Sequence, residues 1–547
     1  MPNGKTYRDS SDKSQITEIG SNFSVNNRAL NMDLSTIRAG IADLQQPVYL
    51  QQHRSGQIIL SDKATVSDNR EQSISAWAPP LPVSSLGDPS FKKWHRCQAA
   101  FYAGAMANGI SSAEMVITLG KMGLLCSYGS GGVNPSQVEA DIRQIQAALP
   151  QGPYAVNLLN SPFEPDLEEQ TVEILLNNEV NTIEASAYLG ITKGLVWYRA
   201  RGLKLLPDGE IEIRNHIIAK LSRKEVARRF LQPAPEKLLA QLVENGQITP
   251  QQAQLASHVP MADDITVEAD SGGHTDNRPL VCLLPTIIAE RDQAQRTHNY
   301  PNAIRIGVAG GISTPEAALA ALMAGAAYVV TGSVNQGCVE AATSEKTRQL
   351  LAQVDMAEVI MAPAADMFEM GVKVQVLKRG TMFAMRAAKL YEVYRAYDCI
   401  ENISASEREQ IEEKILKRSF EDVWQDTVAF FDVRDSRQIE RAEQDPKHKM
   451  ALIFRWYLGL SSRWAIQGET GREMDYQIWC GPAMGAFNDW VRGTYLEKAE
   501  SRKIVDVTMQ ILTGAAYLYR LRILEAQGIQ FPQGLRSYIP KAPLMID

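Results

Sequence analysis

The feature that most constrains this chain is a rhythm between residues 101 and 332. Eight short apolar runs recur there: FYAGAMA (101–107), GLLCSYG (123–129), PYAVNL (153–158), VNTIEAS (180–186), HIIAKLS (216–222), DITVEAD (264–270), AIRIGVAG (303–310) and AYVVTG (327–332). The stretches between them, such as SAEMVITLGKMG, SQVEADIRQIQAAL, RKEVARRFL and PEAALAALMAGA, carry apolar residues at helical spacing. Near-continuous apolar strands alternating with helices imply parallel strands buried on both faces. Eight such units predict an α/β fold closed as a (β/α)8 TIM barrel, because the last strand needs a neighbour. An open doubly wound sheet is the rival arrangement.

The rest of the chain departs from that rhythm. Residues 1–35 are rich in Ser, Asn, Asp and Lys and read as a mobile tail. Residues 36–90 read as an amino-terminal cap, with a small hairpin around Arg54-Ser55-Gly56 and a linker at APPLP. The barrel is expected over 91–375. It is interrupted by a hairpin around Pro207-Asp208-Gly209 and by two short helices over 235–256. Over 376–547 the strand signal fades, and Trp424, Trp456, Trp464, Trp479 and Trp490 suggest a carboxyl-terminal helical domain with its own aromatic core.

Charge and cysteine usage narrow the function classes. Among 547 residues, 63 are acidic and 56 basic, a net charge of −7, so the broad positive field of non-specific nucleic-acid binding is missing. The six cysteines are scattered without a C-x-x-C pair, which reads as free thiols in a reducing compartment and gives no structural zinc or other metal site. No apolar core of a secretory signal begins the chain and no run is long enough to span a membrane, so a cytoplasmic protein with neither membrane nor nucleic acid as partner is expected.

In a barrel of this kind the chemistry sits at the carboxyl ends of the strands. Strand seven ends in Ala309-Gly310-Gly311-Ile312-Ser313-Thr314 before a helix, and strand eight ends in Thr331-Gly332-Ser333. Adjacent glycines let backbone N–H groups approach an anion, and the last two strand-end loops of barrels recurrently hold phosphate. Strand six ends in Asp270-Ser271-Gly272-Gly273-His274 and delivers an imidazole suited to proton transfer. Small residues after strand one, Gly104 to Ala107, leave room for a flat ring. Asn157 and Asn160 offer donors and acceptors to a ring edge. Lys220 ends strand five, as a cation for a ring or phosphate or as a solvated rim lysine.

The strings GAMANGI, VNLLNSP, EADSGGH, GVAGGIS and VVTGSVNQ resemble the barrel superfamily of nitronate monooxygenases and FMN-type enoyl-acyl-carrier-protein reductases. The later strings PAADMFEMGVKVQVLKRGTMFAMRA, KMALIFRWYLGLSSRWA and MDYQIWCGPAMGAFNDWV narrow the resemblance to the PfaD family, trans-acting enoyl reductases of polyunsaturated-fatty-acid and polyketide synthases. That resemblance implies FMN as cofactor, NAD(P)H as electron source with NADPH first, and an enoyl thioester on an acyl carrier protein as substrate. It places Ala105, Met106 and Asn157 at the flavin ring, and Gly272 and Gly273 along ring and ribityl chain. Gly310, Gly311, Gly332 and Ser333 fall at its phosphate, with His274 as the catalytic histidine. Lys220 is a cofactor-site candidate that stands where the superfamily has an apolar residue, and Asp270 stands where it has Glu.

Carrier docking would fall on basic runs at Lys220–Arg229 and Lys373–Arg386, and the helical domain could cover the site, dimerise or contact the synthase. The rival readings are a nitronate-type flavin monooxygenase, a non-catalytic flavin-fold scaffold, and an inosine-phosphate-dehydrogenase relative that would need a catalytic cysteine near Cys338.

Overall fold

A computed structural model of the chain describes residues 23–24, 34–52, 57–61, 65–66, 75–160 and 165–544. The tail expected over 1–35 lies almost wholly outside these residues, as does the Arg54–Gly56 turn. The chain divides into two compact units, residues 1–81 with 519–537 and residues 82–518 with 538–547.

In the first unit the strands Val48–Gln52 and Ile58–Ser61 pair antiparallel, as the hairpin expectation requires, and Ala76–Ala78 flanks the first of them on its other edge. The buried Arg520 guanidinium gathers that unit, donating to the carbonyls of Ile41, Asp43, Leu44, Gln46 and Pro79.

The second unit is built on a closed barrel of eight parallel strands: β1 (Phe101–Ala103), β2 (Leu125–Tyr128), β3 (Ala155–Leu159), β4 (Thr182–Ser186), β5 (His216–Leu221), β6 (Asp264–Glu268), β7 (Arg305–Ala309) and β8 (Val329–Thr331). Seven fall inside the runs read from the sequence and β3 overruns its run by one residue, Leu159; β8 pairs back onto β1, so the open-sheet arrangement is excluded. The apolar strands are buried on both faces, every residue of β2, β4 and β7 included. Several of the intervening helices start at a side-chain cap: Ser112 accepts from Met115 N, Asn134 from Ser136 N and Thr314 from Ala317 N. The hairpin Leu203–Leu205/Ile211–Ile213 and the helices Glu236–Glu244 and Pro250–Ala256 occupy the two expected insertions.

The amino-terminal ends of the strands are closed by the helix Pro89–His95. Phe91 stacks on Tyr328 at 4.1 Å. His95 Nε2 lies 2.8 Å from Asp264, whose carboxylate also takes two bonds from Arg305, at 2.5 and 2.8 Å. A plugged floor leaves the opposite, carboxyl-terminal mouth as the open end.

Two strands that the sequence rhythm does not announce follow the barrel. β9 (Val359–Pro363) and β10 (Lys373–Leu377) pair antiparallel, and β10 also pairs with the short strand Gly273–His274. They lie outside the β–helix alternation, so periodicity along the chain carries no signal for them. Helices then dominate, among them α1 (Phe383–Ala396), α2 (Phe420–Arg434) and α3 (Pro446–Gln467). Their core joins Phe383, Phe420, Phe454 and Tyr457, with Trp424, Trp456, Trp464 and Trp479 packed against it. No described helix is long and apolar enough to cross a membrane, and the six cysteines are unpaired.

Candidate active site at the barrel mouth

A cavity of about 900 Å3 lies over the barrel mouth. Ala105, Met106, Asn157, Lys220, Gly272, Gly273, His274, Gly310, Gly311, Gly332 and Ser333 all line it, so residues up to 228 positions apart in sequence meet there (333 − 105 = 228). Asn160 is not among the lining residues and its amide turns to the Ala187 carbonyl.

The floor is organised by carboxylates that the sequence reading did not single out. Glu184, at the centre of β4, is fully buried. It accepts from Ala105 N at 2.9 Å and from Ser186 Oγ at 3.2 Å, and it lies 3.2 Å from Lys220 Nζ. Lys220 also lies 3.6 Å from Glu268, the last residue of β6. The lysine is therefore an internal counter-ion rather than a rim cation. Burial alone would lower its pKa, but Glu268 and Glu184 outweigh that and raise it. Burial pushes the Glu268 carboxyl above its ordinary value against the pull of Lys220. Asn157 spans β3 and β4, donating to the Glu184 carbonyl and to Ser186 Oγ, both at 3.0 Å. An acidic residue inside an apolar strand run, near its carboxyl end, was the available signal for Glu184 and Glu268.

The wall that carries His274 is fixed by strand pairing, since Gly273 faces Gln375 and His274 faces Val374 of β10. Gly272 packs so tightly on the Cys480 backbone that a Cβ would stand 3.0 Å from its nitrogen. His274 Nε2 lies 3.2 Å from Asp366 Oδ1. The side chains of His274 and Asp366 are 36% and 49% exposed to the cavity; partial desolvation lowers the imidazole pKa, but Asp366, with Glu268 behind it, raises it above the ordinary value. Asp270 does not line the cavity, because Asn277 and Gln375 donate to its Oδ1 at 2.9 and 2.8 Å and hold it in the loop.

The pair of glycine turns follows at the ends of the neighbouring strands β7 and β8. Gly310 (φ +86°) runs so close to β6 that a Cβ would meet Ala269 and Asp270 backbone atoms at 2.8 Å. Gly311 (φ +77°) and Gly332 have nothing within 4 Å of where a Cβ would be, so both turns present bare backbone to the open cavity. Ser333 Oγ accepts from Gly481 N at 3.1 Å, tying the second turn to the carboxyl-terminal region.

The roof comes from the helices: Thr427, Phe430 and Phe431 of α2, Arg455, Trp456 and Gly459 of α3, and Trp479. Asn108 of the β1 loop donates to Ser462 of α3 at 3.2 Å, joining mouth to roof. Cys338 stays outside the cavity. Its thiol is fully buried and pushed up by that burial, which makes it a poor nucleophile.

The enoyl reductase domain of MlnA, from the macrolactin cluster of Bacillus amyloliquefaciens, superposes with a TM-score of 0.77 at 38% identity, covering 81% of this chain and all of that one. The chain belongs to the PfaD family. Other relatives agree: one of the polyunsaturated fatty acid synthase subunits of Thraustochytrium sp. is 47% identical over 91% of this chain, and PksE, a polyketide biosynthesis protein of Bacillus subtilis, is 46% identical over 81%. The PfaD-family chain spans 33% of the first relative's length and 58% of the second's. Its residues 397–476 match the family described as the inserted helical domain of [acyl-carrier-protein] S-malonyltransferase. In this PfaD-family structure that segment supplies α2 and α3, and hence most of the cavity roof.

The basic runs are largely neutralised locally. Arg223 pairs with Asp276, Arg228 with Glu290, Arg379 with Glu358 and Arg386 with Asp475.

Proposed function

We propose that this chain is a trans-acting enoyl reductase that binds FMN, takes electrons from NAD(P)H and reduces the 2,3 double bond of enoyl thioesters borne by an acyl carrier protein in polyketide or polyunsaturated-fatty-acid synthesis. The observation that carries the reading is the mouth itself. Two glycine turns with open backbone and a histidine paired with a carboxylate line the same roofed cavity. Bare backbone at Gly311 and Gly332 suits close approach by a phosphate, and the small side chain of Ala105 leaves space for a flat ring beside Asn157.

When bound there, FMN supplies hydride chemistry that no amino-acid side chain can. The protein's share is position, charge and exclusion of water. Gly310, Gly311, Gly332 and Ser333 hold the phosphate end. Ala105, Met106 and Asn157 border the ring, with Asn157 immobilised by its two bonds to β4. Trp456, Trp479, Phe430 and Phe431 form an apolar cover over the substrate. His274 holds the proton destined for the α-carbon.

The test is spectroscopic. Purified protein loaded with FMN should bleach with NADPH and regain its colour with crotonyl thioester on a carrier protein. Protein that takes up no flavin, or that oxidises nitronates and leaves the thioester untouched, would overturn the proposal.

A further inference from the structure

Asp366 has no counterpart in the barrel rhythm. It sits between β9 and β10, 92 residues from His274, yet its carboxylate faces Nε2 of that ring at 3.2 Å. Both partners are held from outside the pair. His274 is locked by its backbone pairing with Val374 of β10. The segment bearing Asp366 is pinned to the helical domain three residues later, where Glu369 lies 2.8 Å from His448 Nδ1 of α3 and 3.9 Å from Arg455. His448 in turn meets Gln438 through Nε2 at 3.1 Å. Among the described residues no hydrogen-bond partner reaches the other ring nitrogen of His274, Nδ1, although the residue lines the cavity.

We propose that Asp366 is a positioning residue: it binds the Nε2 edge of His274, keeps the ring protonated, and so assigns Nδ1–H as the proton donor to the substrate. This rests on the reading of His274 as the proton source of an enoyl reductase. Bound flavin would supply the hydride for the new C–H bond at the β-carbon. The electron pair released toward the α-carbon takes the proton from Nδ1, and the imidazolium becomes a neutral imidazole that keeps its Nε2–H on Asp366. Solvent restores the lost proton. The other charges facing the ring are Glu268, which favours the protonated form, and Lys220, which opposes it, while Arg455 acts on Asp366. Removing the Asp366 charge therefore leaves Glu268 alone to favour the imidazolium against desolvation and Lys220.

The experiment uses the full chain in two arms. In the first, histidine ring NMR of flavin-free protein follows the titration of His274, assigned by its loss in His274→Gln. Asp366→Asn should move the His274 midpoint downward and Asp366→Glu should restore it. In the second, the enoyl half-reaction of flavin-loaded enzyme with crotonyl thioester is followed against pH. In Asp366→Asn its alkaline fall should move to lower pH, with about a tenfold rate loss above the new midpoint for each unit of displacement, while NADPH bleaching is unaltered. A His274 midpoint unmoved by Asp366→Asn overturns the proposal, even if the wild-type enzyme reduces the thioester. A midpoint that moves in a protein unable to reduce the thioester keeps the pairing and instead removes the enoyl-reductase reading.

Discussion

Lys220 lies between Glu184 and Glu268 at 3.2 and 3.6 Å, so with all three ionised the floor of the cavity bears one net negative charge. Breaking a buried pair leaves an uncompensated charge and costs about 3–5 kcal/mol. Lys220→Met should therefore lower unfolding stability by up to about that amount, and adding Glu268→Gln should recover part of it. A double-mutant cycle in denaturant measures the coupling, and additive losses would deny it. The two glycines of the first turn should separate by phenotype. Ala at Gly310 drives a Cβ into Ala269 and Asp270 at 2.8 Å and should weaken the fold itself. Val at Gly311 meets open cavity, so it should cut FMN affinity and cost only the left-handed strain of about 1–2 kcal/mol. His274→Ala should slow the enoyl half-reaction by about 10²–10⁴-fold with flavin retained. Loss of flavin from that variant would mean that the ring is structural.

Among the elements, the helical domain is pinned by one carboxylate. Asp475 is fully buried and gathers Arg386 of α1, Tyr457 of α3 at 2.9 Å, Arg472 at 3.3 Å and Lys417 at 3.4 Å. Asp475→Ala strands those cations and should destabilise the roof by about 3–5 kcal/mol. Because Trp424, Trp456, Trp464 and Trp479 pack against the core of this region, fluorescence should shift at lower denaturant than the far-ultraviolet circular dichroism of the whole chain; coincident transitions would mean roof and barrel unfold as one. The helices themselves were legible from charge and apolar spacing. The covering role of α2 and α3 was only one of three open roles, because a helix face does not name what it packs on. The β9–β10 pair was invisible for a related reason: its partner, Gly273–His274, is a strand of two residues.

At the scale of the whole molecule, acid should unfold the chain through the barrel floor. Burial keeps the His95 ring below its ordinary pKa despite Asp264, so the unfolded chain binds that proton first and stability begins to fall as pH drops through about 6.5. The Asp264 carboxyl is pushed up by burial but drawn further down by Arg305 and His95, so its contribution is present above about pH 4 and is lost as pH falls toward its lower folded value. His274 has the opposite sign: its raised value contributes below its unfolded pKa and is lost as pH rises through the folded one. Melting curves from pH 8 to pH 2 should thus show a shallow decline from about 6.5 and a steep one below about 4. A flat profile to pH 3 would refute this account of the floor.

By itself the sequence determined the eight strands, their closure and the two glycine turns, because burial on both faces and tight backbone approach are written in neighbouring residues. It also carried the family, in long strings that local chemistry does not explain. The tertiary structure alone decided that Lys220 answers two glutamates, that Asp366 answers His274, and that a helical insertion roofs the mouth. Each of those is a meeting of charges or faces distant in sequence, and Coulomb attraction and packing depend on distance in space, which residue order along the chain does not encode.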